Sequence, residues 1–221
     1  MNVYMIDVIK TSKDYTKENS VTNLPKLLPE SDIPKLLKTA QEYQSRDKAL
    51  TGNYIFLSMS LQLYAGLRIS EVIKIRPKDV LLDPDNEEIR VVSSKSYMER
   101  NIPIPDQELS SLLKFINADR SIDINTPYIR RHPKTLWELY KKVYDKAGIE
   151  YFGTHQLRHT YAKRMLQALG INGINVLQIL MGHKDIKSTM VYIKLLPNRE
   201  EIRDAFKSLR IMNQIKKGEI R

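Results

Sequence analysis

The sequence predicts a mainly helical domain carrying a small three-stranded antiparallel β-sheet. Two textures predict it. From about position 31 onward most apolar residues recur at helical spacing, while the stretch from Val80 to Ile104 breaks into short β-rich runs separated by turn formers.

Residues 1–29 are polar, with a lysine-rich middle from Lys10 to Lys17 and prolines at Pro25 and Pro29, and are read as an arm or linker. A helix follows, with Ser31 as its expected cap and Leu36, Leu37, Ala40 and Tyr43 along one face. A more apolar helix spans Tyr54 to Ala65, and Gly66 is positioned to stop it. Arg68 then heads a short helix bearing Ile69, Val72 and Ile73. Val80-Leu81-Leu82, Glu88-Ile89-Arg90-Val91-Val92 and Arg100-Asn101-Ile102-Pro103-Ile104 are the strands, divided by Asp83-Pro84-Asp85-Asn86 and by Ser93-Ser94-Lys95-Ser96-Tyr97-Met98. Further helices are expected at about 106–118, 134–147, 156–169 and 173–181, then a short one ending near Tyr192 and a last one from Asn198 to about Lys216. That last helix has Ile202, Ala205, Phe206, Leu209, Met212 and Ile215 on one face, suited to packing on its own domain or on a neighbour.

Composition narrows the function. Lys and Arg number 36 against 26 Asp and Glu, a net charge of +10, which favours a polyanionic partner through counterion release. The absence of cysteine excludes disulfides, thiolate zinc sites and cysteine nucleophiles, and four histidines leave little for a metal cluster. No apolar run approaches membrane-spanning length and the start lacks the form of a signal peptide, so a soluble, cytoplasmic protein is expected.

Five residues carry the chemistry: Arg68 in Gly66-Leu67-Arg68-Ile69-Ser70-Glu71-Val72, His155 and Arg158 in Thr154-His155-Gln156-Leu157-Arg158-His159-Thr160, then His183 and Tyr192. Two guanidiniums can grip the non-bridging oxygens of one phosphate, two imidazoles can move protons, and a phenol can attack phosphorus. Each residue also has an ordinary explanation. Arg68 suits an arginine after a helix end partnered by Glu71, His155 and Arg158 suit a surface pair three residues apart, and any one of twelve tyrosines is more often a core-edge residue than a nucleophile. The order and spacing of the whole set favour the active-site reading.

The same motifs resemble those of the tyrosine recombinase family, the phage integrases and Xer-type resolvases. The first arginine motif is matched around Arg68, the His-x-x-Arg box by His155-Gln156-Leu157-Arg158, the Leu-Gly-His element by Leu180-Met181-Gly182-His183, and the nucleophile element by Thr189-Met190-Val191-Tyr192. The resemblance implies the family's catalytic-domain fold over residues 30–221. It further implies Tyr192 as nucleophile, His155 as proton acceptor, Arg68 and Arg158 holding the pentacoordinate phosphorane, and His183 donating to a non-bridging oxygen. Lys95 takes the place of the hairpin lysine that protonates the leaving 5′ oxygen, although its turn reads Ser94-Lys95-Ser96 where the family commonly has Gly-Lys-Gly; a lysine in such a turn is otherwise simply solvated. Glu71 and His159 are expected in supporting roles, and His132 as a surface histidine.

By the same resemblance the partner is double-stranded DNA, the chain assembles as a dimer to tetramer on it, and neither metal nor cofactor is needed for exchange through a 3′-phosphotyrosyl link. Integrase of a mobile element and Xer-like resolvase fit equally. A type IB topoisomerase and a catalytically silent DNA-binding accessory protein are the rival readings. About thirty residues cannot supply the helical core-binding domain that family members carry ahead of the catalytic domain, so the chain reads as a fragment or as a reduced natural form.

Overall fold

A computed structural model describes residues 24–43, 52–83, 85–92, 99–196 and 207. Its helices are α1 (Ile33–Gln41), α2 (Gly52–Tyr64), α3 (Ile69–Val72), α4 (Gln107–Asn117), α5 (Pro133–Ala147), α6 (His155–Leu169), α7 (Ile174–Met181) and α8 (Lys187–Met190), and its strands are β1 (Val80–Asp83), β2 (Asn86–Val92) and β3 (Glu99–Pro103). The expected helix from Asn198 and the turn holding Lys95 lie outside the described residues.

The sheet has the order β1-β2-β3, antiparallel throughout, with Val80 opposite Ile89 and Ile89 opposite Ile102. Alternation sends Ile89 and Val91 from β2 and Arg100 and Ile102 from β3 to the buried side. A charged residue thus shares the phase of the apolar ones.

α2 is the central element, because an almost wholly apolar helix can bury more than one face. Nine consecutive residues, Ile55 to Leu63, are buried. Leu57 and Leu61 join the core beneath the sheet and α4, while Ile55, Phe56, Met59 and Leu63 join a second core with α1 and α5. Each such leucine contributes roughly 1.5–3 kcal/mol by leaving water. A third, smaller core unites Tyr161, Ala162 and Leu166 of α6 with Leu177 and Met181 of α7 and with Tyr192. That cluster is the floor on which the histidines and the tyrosine meet.

Ser31 does not cap α1. It lies inside a 3-10 turn, Glu30–Asp32, and α1 starts at Ile33 with Pro34 in its first turn, where the missing N–H costs nothing. The approaching chain is fastened along α6 instead: Leu28 N–H donates to Thr160 Oγ1 at 2.9 Å, Gln156 Nε2 donates to the Leu27 carbonyl at 3.3 Å, and Arg164 Nε donates to Glu30 at 3.0 Å. His132 is exposed, as expected, and caps α5 through Nδ1, which accepts from the Lys134 N–H. Among the described residues no helix is long and apolar enough to cross a membrane.

Candidate active site

Gly66 ends the apolar helix in the left-handed region, φ 64°, and a Cβ there would stand 2.4 Å from the Tyr161 ring. Only glycine permits both the turn and the approach of α6. The turn aims the Gly66 carbonyl at Arg158 and delivers Arg68 to the first cap of α3. There the Arg68 N–H donates to Glu71 Oε2 at 2.9 Å, its Nη1 to Glu71 Oε1 at 3.0 Å, and its Nη2 to the Gly182 carbonyl at 2.9 Å.

Arg158 is 2 % exposed. Its Nη1 donates to the Gly66 carbonyl, its Nη2 to the Met181 carbonyl and, at 3.2 Å, to His183 Nε2. An arginine can only donate, so His183 Nε2 accepts and the ring proton sits on Nδ1, which donates to the buried Thr189 hydroxyl at 2.9 Å. His159 lies one residue beyond Arg158 on α6, and its Nδ1 is 2.8 Å from the Tyr192 hydroxyl. Tyr192 sits in the 3-10 turn Val191–Leu195 and is 2 % exposed.

Arg68, Glu71, Arg158, His159, His183 and Tyr192 therefore form one neighbourhood. His155 joins it at the exposed head of α6, its ring 6.0 Å from that of His159. The phenol's hydrogen bond goes to His159, not to His155. Two contributors were missing from the sequence reading. Thr189 holds the His183 ring and shows no sequence signal beyond lying inside the nucleophile element. Arg100 forms a two-point ion pair with Glu71, and its signal was legible: a charge in phase with Ile102 and Ile104 on an alternating strand.

The electrostatics follow from burial. Glu71 would be raised by burial alone, but hydrogen bonds and charge from Arg100, the Arg68 N–H and the Arg158 charge hold it below its ordinary value. Three guanidiniums, of Arg68, Arg100 and Arg158, share this one carboxylate, with Arg158 3.8 Å away, so a positive surplus remains. Burial and the Arg68 charge bring Arg158 down to about 9, still protonated at neutral pH. Burial lifts the Tyr192 phenol to about 12, against the pull of the Arg158 and Arg68 charges. Burial, then His155 and Arg158, push His159 to about 4; burial, then Arg158 and Arg68, do the same to His183. His155 is lowered by the packed part of its ring and by the same two arginines. The pocket rests with neutral imidazoles and a neutral phenol beneath fixed positive charge.

A pH dependence follows. His159 and His183 bind protons near 6.5 when unfolded and near 4 when folded, so between those values the unfolded chain carries more protons. Stability should be level above about pH 6.5 and fall as pH drops towards 4, by a few kcal/mol in all after allowing for the half-buried rings. Urea midpoints at pH 7 and pH 4.5, for the natural chain and for His183→Gln, check this. The slope should lessen in the variant, and a midpoint indifferent to pH would show that the rings are not held neutral.

Residues 26–199 match the model of the phage integrase family. The chain belongs to the phage integrase family. Similar relatives include the tyrosine recombinase XerA of Thermococcus onnurineus, 32% identical over 202 residues covering 86% of this chain and 64% of that protein. XerA of Saccharolobus solfataricus is 35% identical over 173 residues, covering 77% of this chain and 53% of that protein. The chain spans about two thirds or less of the length of the relatives it matches, 66% and 65% for the XerA proteins of Pyrococcus furiosus and Pyrococcus horikoshii. The fold is likewise that of crystal structures of XerA recombinase, with TM-score 0.65 at 23% identity over 87% of this chain and 66% of that one, and of XerH recombinase bound to its palindromic difH substrate after cleavage, with TM-score 0.66 at 18% identity over 86% and 54%.

Proposed function

We propose that this member of the phage integrase family cuts and rejoins double-stranded DNA at specific sites through a 3′-phosphotyrosyl link to Tyr192. One observation carries the reading: two donor-rich arginines from distant parts of the chain, Arg68 and Arg158, converge with His183 within one pocket that also encloses a tyrosine hydroxyl. An attacked phosphodiester gains charge on its non-bridging oxygens, and guanidiniums already fixed at that place favour the transition state over the ground state.

The Tyr192 oxygen attacks phosphorus while its proton passes to an imidazole. His159 holds the phenol, and His155, exposed at the head of the same helix, is the acceptor offered to DNA. The bond from phosphorus to the 5′ oxygen breaks, and Lys95 supplies that oxygen's proton. His183 Nε2 accepts from Arg158. A bound phosphate would draw that guanidinium to itself and favour a proton on Nε2, which turns the ring into a donor. The covalent link conserves the energy of the diester, so a 5′ hydroxyl from another duplex reverses the step without ATP. Assembly as a dimer to tetramer on DNA would bring the two duplexes together.

The test uses a duplex selected from a randomised pool by covalent capture on the chain, nicked so that cleavage releases a short fragment and traps the adduct. A covalent complex on a denaturing gel is expected, and it should persist in EDTA because arginine and lysine supply the positive charge that a divalent ion would otherwise bring. Binding should weaken steeply as salt rises, since a +10 chain relies on phosphate contacts. Loss of the complex on chelation, with return in magnesium, would identify a metal-dependent nuclease. Relaxation of a supercoiled plasmid without exchange between duplexes would favour the type IB topoisomerase instead.

A further inference from the structure

We propose that Arg100 is the positioning residue of the phosphate clamp: from β3 it holds the Glu71 carboxylate square to Arg68 and, with the same guanidinium, holds the turn that presents Gly182 and His183. The inference rests on the recombinase reading above and deepens it.

The geometry is over-determined. Arg100 Nη1 donates to Glu71 Oε1 at 3.1 Å and Nη2 to Oε2 at 2.8 Å. Arg68 takes the same two oxygens, Nη1 on Oε1 and its backbone N–H on Oε2. Each carboxylate oxygen thus receives one donor from each arginine, which fixes both the plane and the rotation of the carboxylate. The remaining edge of Arg100 is used as well: Nε donates to the Leu180 carbonyl at 2.9 Å, at the end of α7. Two residues on, Gly182 turns in the left-handed region at φ 60°, and a Cβ there would stand 2.7 Å from Arg100 Nη1. The glycine lets the guanidinium lie against the turn, and its carbonyl is the one that accepts from Arg68.

Arg100 therefore bonds one support of Arg68, the Glu71 carboxylate, and braces the turn that carries the other, the Gly182 carbonyl, while remaining at 8 % exposure beneath them. Its place follows from strand alternation, which puts it on the side of Ile102, and Nε, Nη1 and Nη2 are all directed at Glu71 and the Leu180 carbonyl. Without it, Glu71 would lose the two bonds that oppose a turn towards Arg158, whose Nη1 already stands 3.8 Å from Oε2. That rotation would withdraw Arg68 from the phosphate and neutralise part of Arg158. A lysine keeps the charge but has one nitrogen for three acceptors.

The experiment compares Arg100→Lys and Arg100→Met with the natural chain and with Arg68→Ala, in single-turnover formation of the covalent complex. Two nicked duplexes of the captured sequence are used, identical except that the scissile phosphate is a natural diester in one and a methylphosphonate in the other. The methylphosphonate lacks the charge that the clamp opposes. On the diester both Arg100 variants should lose about a hundredfold, the usual consequence of a misplaced clamp, with DNA binding retained. On the methylphosphonate the loss should shrink to within about tenfold, as for Arg68→Ala, and the Arg68→Ala/Arg100→Met double variant should be little slower than Arg68→Ala alone.

Equal losses on the two duplexes, or losses that multiply in the double variant, would make Arg100 an ordinary structural ion pair and overturn the proposal. Should the methionine variant fail to fold, the lysine variant decides by the same comparison. A natural chain that forms no covalent complex on the diester would instead remove the recombinase reading on which the inference stands.

Discussion

Tyr192→Phe is expected to abolish covalent attachment of DNA while leaving DNA binding nearly unchanged. The ring is buried in the cluster that includes Tyr161, Leu177 and Met181, packing that phenylalanine keeps. Only the hydroxyl is lost, and with it the partner of His159 Nδ1, a cost to stability of about 1 kcal/mol. Among the described residues Tyr161 is the tyrosine that shares this core, and its ring is pressed beneath Gly66. The trapped duplex separates these effects, because binding is read on a native gel and attachment on a denaturing one. An adduct mapped by peptide digestion to any tyrosine other than Tyr192 would sink the assignment.

Lysine at either clamp position should slow cleavage by on the order of a hundredfold or more, since an ammonium retains the charge and loses the forked, two-point grip. The two variants should differ in what else they cost. Arg68 has a side chain 31% exposed, and its loss leaves Glu71 still paired with Arg100, so Arg68→Lys should fold almost normally. Arg158 bridges the Gly66 and Met181 carbonyls and reaches His183, joining three separate parts of the chain. One ammonium cannot span them, and a buried carbonyl left without a donor costs about 1–3 kcal/mol. Arg158→Lys should therefore lower the melting temperature as well as the rate. Near-normal single-turnover cleavage by either variant would refute the clamp, and a slow but fully stable Arg158→Lys would refute its bridging role.

Both arginines were visible as motif residues, yet the difference between them was not. Arg68 and Arg158 have the same chemistry in the sequence; what separates a half-exposed clamp arm from a buried bridge is the packing of α6 and α7 around the Gly66 turn. The same holds for the imidazoles. His155 and His159 stand one helical turn apart, so their spacing puts them near one another and near Arg158. Which ring meets the phenol depends on how the turn at Tyr192 docks on α6, a contact across 33 residues.

Local periodicity marked the helical scaffold and the antiparallel three-stranded sheet, because helix and strand patterns are written in residues a few positions apart, while motif order and the family resemblance pointed to Arg68, His155, Arg158, His183 and Tyr192 as one set. Ser31 shows the limit even there, since it lies inside the 3-10 turn Glu30–Asp32 and α1 starts at Ile33 without a side-chain cap. Only the tertiary structure decided the acceptors at Gly66, Met181 and Gly182, the hold of Thr189 on His183, and the place of Arg100 beneath Glu71. Backbone carbonyls carry no side-chain signature, and a buried charge is stable only where distant segments bring it partners. Those partners exist once the sheet, α6 and α7 have packed.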